Sequence, residues 1–316
     1  MHSSRESPEL RAKYDKALEQ FIERMKQDSN ILAIYVFGSY VNKTLAGHSD
    51  IDTFIITNDD RASRRFLVLR ENDVSIEAFI FSRMEFRRRQ QSFIQGGMIH
   101  HLFAESRLVY SKDDTITDIN RETALAERDK ELQLMLAAEW LVACLQKAQK
   151  SLYIFKDVDK AFYWFPLLVQ QLARILLLLN DRIPGRDLLA QARDSLTTGR
   201  ELLSEVITKA FKEAFSEANL DEVLKLIENF LIEKKNQLYK PLFSYLSEAA
   251  DARSYSEIDL HFRRAFGNRE MFAPWVSSIE WLAQQGDLMR ATAPVRIASK
   301  SRVTADETTF YYIGDA

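Results

Sequence analysis

The chain has 316 residues, too many for one ordinary compact domain and enough for two or three. With 46% apolar and 28% charged residues it reads as globular, and its net charge of -3 excludes a uniformly basic nucleic-acid binder while leaving local basic patches open. The single Cys144 excludes an internal disulfide and a cysteine-built zinc cluster, and fits a reducing compartment.

In chain order, the polar start "MHSSRESPELRAKYDK" lacks the apolar core of a signal peptide. "RAKYDKALEQFIERMKQD" has the apolar spacing of a helix, and "ILAIYVFGS" and "DIDTFIIT" read as strands. "RRFLVLREN" and "DVSIEAFIFS" form the arms of a hairpin around Asn72 and Asp73, followed by a helical "RMEFRRRQQSFIQGGMIHHLFAES" and a closing strand "RLVYS". Residues 1–118 are thus expected to form a small mixed α/β domain. Residues 119–250 show no convincing strand; "ELQLMLAAEWLVACLQKAQKSLYIF", "KAFYWFPLLVQQLARILLLLND" and "NLDEVLKLIENFLIEKKNQLYKPLFSYL" all repeat apolar residues at helical spacing, which predicts a bundle. The longest apolar run, "AFYWFPLLV", is far short of the ~20 residues of a membrane span, so a cytoplasmic protein without a membrane partner is expected. In residues 251–316 two helical patterns, "IDLHFRRAF" and "WVSSIEWLAQQG", precede a hairpin pattern, the order of a winged helix-turn-helix. The expected class is α+β: a mixed-sheet domain, an all-α bundle and a winged-helix-like module.

The chemistry concentrates in "YVFGSYVNKTLAGHSDIDTFIIT". Residues two apart on a strand face the same way, so Asp50 and Asp52 place two like charges side by side on an otherwise apolar strand. Such a pair repels unless a cation lies between, and Mg2+ prefers carboxylate and phosphate oxygens. Glu77 in "VSIEAFIF" supplies a third acid for a site that clamps the attacking and leaving oxygens of a phosphoryl displacement. Gly38 lets the backbone approach a ligand, and Ser39, at the start of an expected helix, offers a hydroxyl and amide groups to an anion.

"FGS", ten intervening residues, "DID" in an apolar strand and an acid on a later strand together resemble the DNA polymerase β-like nucleotidyltransferase superfamily, particularly its small bacterial members. The resemblance covers roughly Ile31 to Ser111. It implies that Gly38 and Ser39 hold the NTP phosphates, that Asp50 and Asp52 bind two Mg2+ ions, and that Glu77 is the third carboxylate. Many relatives read Arg-Gly where this chain has Asn42 and Lys43, so Lys43 is the candidate phosphate contact. The implied reaction moves a nucleoside monophosphate from an NTP, ATP foremost, to an acceptor hydroxyl, with Asp52 or Glu77 as the base.

Superfamily acceptors include antibiotics, RNA ends and protein side chains. The aromatic and charged stretch from Tyr153 to Trp164 favours a small molecule, and in the helical segment Glu139, Asp157 and Asp159 are further candidate bases. The cations Arg290, Arg296, Lys300 and Arg302 favour RNA, as in a tRNA-modifying toxin or immunity enzyme. A third reading is a nucleotide sensor whose winged helix binds nucleic acid or protein, which three intact acids argue against. Eight arginines between Arg61 and Arg89 face only four acids and are either solvated or anion-binding. His48, His100 and His101 are expected to be ordinary polar or structural residues.

Overall fold

The computed structural model describes residues 6–58, 65–92, 98–117, 127–213, 216–249, 251–266, 275–298, 300 and 302–313. The chain divides into two compact units, residues 1–93 with 97–124, and residues 94–96 with 125–316.

The first unit opens with α1 (Pro8–Met25), started by the Ser7 hydroxyl accepting from the Leu10 amide and by a proline in its first turn. Then come β1 (Ile31–Phe37), a 3-10 turn (Gly38–Tyr40), β2 (Ile51–Thr57), β3 (Phe66–Glu71), β4 (Val74–Ser82), α2 (Arg83–Ser92), α3 (Met98–Glu105), β5 (Arg107–Ser111) and α4 (Asp114–Thr117). The five strands lie in the order β3-β4-β2-β1-β5. β2 and β4 run parallel and the other neighbours antiparallel. Asn72 and Asp73 both take positive φ, 47° and 60°, which closes the β3–β4 hairpin as that pair of residues suggests. One sheet face packs Ile34, Val36, Ile51, Ile55 and Ile76 with Tyr14, Leu18 and Phe21 of α1. The other buries Tyr35, Phe37, Phe54, Ile56 and Phe81 with Phe86 and Ile116. Cover on both faces explains why β1 is buried along its whole length and reads as an unbroken apolar run.

The second unit contains α5 (Glu127–Gln149), a π turn (Lys150–Ile154), α6 (Val158–Phe162), α7 (Phe165–Leu179), α8 (Leu188–Ser195), α9 (Arg200–Phe211), α10 (Glu217–Leu238) and α11 (Lys240–Ser247). It continues through β6 (Arg253–Ser254), α12 (Tyr255–Ala265), α13 (Val276–Gln284), β7 (Leu288–Arg296) and β8 (Thr304–Tyr312). Two stretches with continuous helical periodicity are each split in two. The breaks fall at Tyr163–Trp164 and at Tyr239, and Pro166 and Pro241 lie in the first turn of the helix that follows each, where their missing amide hydrogens cannot bond back across the break. Val158–Leu179 is long and apolar enough to cross a bilayer by length and composition, with half of its apolar window buried; Leu168, Val169, Leu172 and Ile175 lie in the unit's core. The sequence expectation considered only the uninterrupted run within this stretch.

The C-terminal helices and hairpin share that core: Phe262, Trp275, Trp281 and Phe310 belong to the same apolar cluster as α5, α7 and α10. Their sheet is antiparallel with the order β6-β8-β7. Cys144 is buried within α5, as an apolar filler would be. Glu139, also on α5, is only 4% exposed and accepts the amides of Ser277 (3.3 Å) and Ser278 (2.8 Å) at the start of α13. Burial raises its carboxyl above the usual range, while the two serines oppose the shift. The Ser278 hydroxyl in turn meets the buried Tyr239 hydroxyl at 3.0 Å. Glu139→Ala strands two amides and is expected to lower the free energy of unfolding by about 1–3 kcal/mol in urea titrations. Glu139→Gln, which keeps an acceptor oxygen, should recover most of that loss.

Candidate active site

β2 begins immediately after Asp50, and the alternation of the strand sends Asp50 and Asp52 to one face. The parallel register sets Glu77 of β4 directly beside Asp52, and the antiparallel register sets Phe37 on its other side. On β4, Ile76 and Ala78 are buried while Glu77 between them is half-buried on the opposite face. Asp50, Asp52 and Glu77 can thus each offer a carboxylate oxygen, all within 4.8 Å of one another. Thr53, buried next to Asp52 on the opposite face of the strand, donates its hydroxyl to the Glu77 carbonyl at 3.0 Å and ties the strands at this level.

Gly38 directly follows Phe37 and therefore lies against Asp52. Its φ is +72°, a left-handed conformation, and a Cβ there would collide with the Asp52 carboxylate. The glycine meets two demands at once, a reversed backbone and room for an acid. Ser39 follows in a 3-10 turn of three residues, where a longer helix was expected. The turn is closed by the Val41 and Asn42 amides on the Gly38 carbonyl (3.1 and 3.0 Å) and the Thr44 amide on Ser39 (3.0 Å). Lys43 adopts a left-handed φ of 56°, which stops a helix from continuing. Lys43 is exposed and makes no ion pair among the described residues.

The carboxyl of Glu77 is raised above its ordinary range, first by burial and then by the neighbouring Asp50 carboxylate and a hydrogen bond to it. The donor set is all oxygen, and no ion pair compensates Asp50 or Glu77 among the described residues. That is the chemistry a hard divalent cation meets best. A sign follows for pH. Because the folded value of Glu77 is raised, its protonated form favours the folded protein at low pH, and that contribution is lost as pH rises through the raised value. Without divalent metal, the melting temperature of native protein relative to Glu77→Gln should fall as pH rises from the ordinary carboxylate range, about 4, through the raised value of Glu77. Added Mg2+ should reverse the fall, as thermal melts on the two proteins would show.

Other candidates settle into structural parts. His101 pairs with Glu105 at 3.0 Å, and Asn42 donates to the same carboxylate at 3.3 Å, linking α3 to the turn after Ser39. These bonds hold the Glu105 carboxyl below the usual range. Sequence reading missed Glu105, whose only signal was its spacing of four from His101. Arg65, Arg70 and Arg83 pair with Glu85, Asp73 and Asp113, and Arg87 donates to Thr115. Arg61 and Arg64 lie outside the described residues, as do the side chains of Arg88, Arg89 and His100. His48 is exposed in the loop before Asp50. Glu139 is committed to α13, and Asp157 caps α6 by accepting the Lys160 amide at 2.9 Å, which leaves neither poised as a base.

Residues 19–115 match the family described as Polymerase beta, Nucleotidyltransferase. Among solved structures, a nucleotidyltransferase-like protein from Exiguobacterium sibiricum 255-15 is similar at 17% identity and a TM-score of 0.62, over 95% of this chain and 99% of that one. This is a likeness of fold. A spectinomycin adenyltransferase from Enterococcus faecialis, solved with ATP and spectinomycin, aligns over 69% of this chain and 97% of its own at 15% identity, but its TM-score of 0.26 carries no argument. None of the curated proteins matches the chain.

Proposed function

Starting from a polymerase β-type nucleotidyltransferase domain over residues 19–115, we propose that this protein transfers a nucleoside monophosphate from an NTP, ATP foremost, to an acceptor hydroxyl and releases pyrophosphate. The observation that carries the reading is the cluster of Asp50, Asp52 and Glu77. These residues would hold Mg2+, which when bound supplies Lewis-acid stabilisation of charge on the reacting phosphoryl oxygens. Gly38 keeps the backbone clear beside Asp52, and the amides and hydroxyl of the turn at Ser39 are the partners offered to the triphosphate. Lys43 adds an ammonium group that no acid among the described residues neutralises. Of the two candidate bases, Glu77 has the raised carboxyl and is the better proton acceptor for the attacking hydroxyl.

In this reading residues 1–118 carry the chemistry, residues 119–250 recognise the acceptor, and residues 251–316 contribute partner contacts. A small-molecule acceptor is favoured by the exposed aromatic surface around the π turn. Phe155 and Tyr163 are 51% and 69% exposed there, and the Lys150 and Lys160 ammonium groups lie 5.4 and 4.7 Å from the Phe155 ring centre. Aromatic faces beside charges suit the orienting of a polar ring.

An RNA acceptor is the second reading. Arg296, Lys300 and Arg302 near the end of the β7–β8 hairpin make no ion pair among the described residues, whereas Arg290 is held by Glu280 at 2.6 Å. Contact of that kind would come from the hairpin alone. α13, the second helix of the winged-helix-like order, buries Ser278, Ile279, Trp281 and Leu282 and surrenders its first amides to Glu139, so its leading end cannot enter a groove.

The test is transfer of label from α-labelled NTPs, with Mg2+, onto separated small-molecule, RNA and protein fractions of a bacterial lysate, beside an Asp50→Ala/Asp52→Ala variant. Label entering the small-molecule fraction with native protein alone supports the reading, and label entering RNA moves it to the second acceptor. Nucleotide binding without transfer into any fraction contradicts the enzyme reading and favours a sensor.

A further inference from the structure

We infer that the first half of α1, which precedes the residues matched by the nucleotidyltransferase family, is a clamp that fixes the phosphate-facing turn and the metal-facing carboxylates at a set separation. The two halves of the site are joined by the loop from Tyr40 to Ser49, whose ends adjoin Ser39 on one side and Asp50 on the other. α1 grips both ends. At the first, Arg11 donates to the Tyr40 carbonyl at 2.8 Å and lays its guanidinium 4.0 Å from the centre of the Tyr40 ring. The Tyr40 hydroxyl donates to Asp15 at 2.5 Å, and Asp15 also accepts from Arg11 at 3.0 Å.

At the second end, the Tyr14 hydroxyl donates to the Ser49 carbonyl at 2.6 Å, with the Ala46 carbonyl at 3.4 Å. Tyr14 and Tyr40 are 2% and 3% exposed, so both rings sit in the interior, while Arg11 and Asp15 hold Tyr40 from the edge of that interior. The loop is also closed on itself by the Ala46 amide on the Ser49 hydroxyl (2.9 Å) and the Ser49 amide on the Ala46 carbonyl (3.0 Å). Leu45 anchors it in the core beneath α1. Arg11, Tyr14 and Asp15 stand three and four residues apart, hence on one helical face, and all three point to the loop. The Tyr14 hydroxyl also senses Asp50: burial raises its pKa first and the Asp50 carboxylate raises it further.

A loop of this length without its own secondary structure would otherwise let Asp50 drift relative to Ser39, and sites for phosphoryl transfer act chiefly by positioning. Arg11, Tyr14 and Asp15 are therefore positioning residues. None adjoins the reacting atoms, and each acts through the backbone on either side of the motif.

The inference rests on the proposed function, and its test separates the two. Mn2+ binding by electron paramagnetic resonance, with and without α,β-methylene-ATP, is measured on native protein, Tyr14→Phe and Arg11→Lys, together with thermal melts. Tyr14→Phe is expected to weaken Mn2+ about fivefold to tenfold, the worth of one buried hydrogen bond. Arg11→Lys, which keeps the charge and loses the fork over Tyr40, should weaken the nucleotide by a similar factor and Mn2+ alone much less. A purely structural role would lower the melting temperature without this split. Native protein that binds Mn2+ and nucleotide, with both variants binding as tightly, overturns the clamp and leaves the function standing. Native protein that binds neither overturns both.

Discussion

Asp52→Ala is expected to lower nucleotide transfer by at least about a thousandfold, equivalent to about 4 kcal/mol of transition-state stabilisation. Asp52 stands between Glu77 across the parallel register and Phe37 across the antiparallel one, and it shares its face with Asp50. Removing it takes away the central carboxylate of the cluster. The same change removes one of three like charges gathered at the site, so the protein should still fold cooperatively while activity vanishes. Loss of activity from a protein that still folds is the signature of a site rather than of a scaffold. Turnover of α-labelled ATP and thermal melts on the same samples check both halves. A variant that retains a tenth of native turnover contradicts the role assigned to Asp52.

Gly38→Ala is the second large effect. A residue with a side chain pays about 1–2 kcal/mol to hold a left-handed φ, and here its Cβ would also strike the Asp52 carboxylate. The expected result is a loss of at least about 2 kcal/mol in unfolding free energy together with loss of metal binding. The double variant Gly38→Ala/Asp52→Ala separates the causes. With the carboxylate gone, the Asp52 Cβ at 3.6 Å is an ordinary contact for the new methyl, and only the backbone strain remains. The double variant should therefore be more stable than Gly38→Ala and still inactive. A double variant no more stable than the single one would show that the collision contributes nothing.

Much of the site was legible because its signals are local. Period-two alternation is enough to place Asp50 and Asp52 on one face, and a glycine ending a strand marks a tight approach. Glu77 is a different matter. Its apolar neighbours identify a strand position, but only the parallel pairing of β2 with β4 brings it beside Asp52, and register is a long-range property. The helix expected at Ser39 is a single turn because Lys43 reverses the backbone, which nothing in the apolar pattern records. Periodicity also ran through the breaks just before Pro166 and Pro241, across which their missing amide hydrogens cannot bond back. Arg11, Tyr14 and Asp15 looked like the polar and apolar positions of an amphipathic helix, and their hold on the loop emerges only when α1 packs over the sheet. Glu139 looked like a spare acid on a helix, and its partners lie more than a hundred residues away.

The account rests on Asp50, Asp52 and Glu77 acting as one divalent-cation site that faces a nucleotide. The most direct measurement is anomalous diffraction from crystals grown with Mn2+ and α,β-methylene-ATP. The account predicts an Mn2+ peak in contact with these three carboxylates and with the nucleotide phosphates beside Ser39. A nucleotide bound with its phosphates away from the turn, or Mn2+ seated elsewhere with the three acids unliganded, would contradict it.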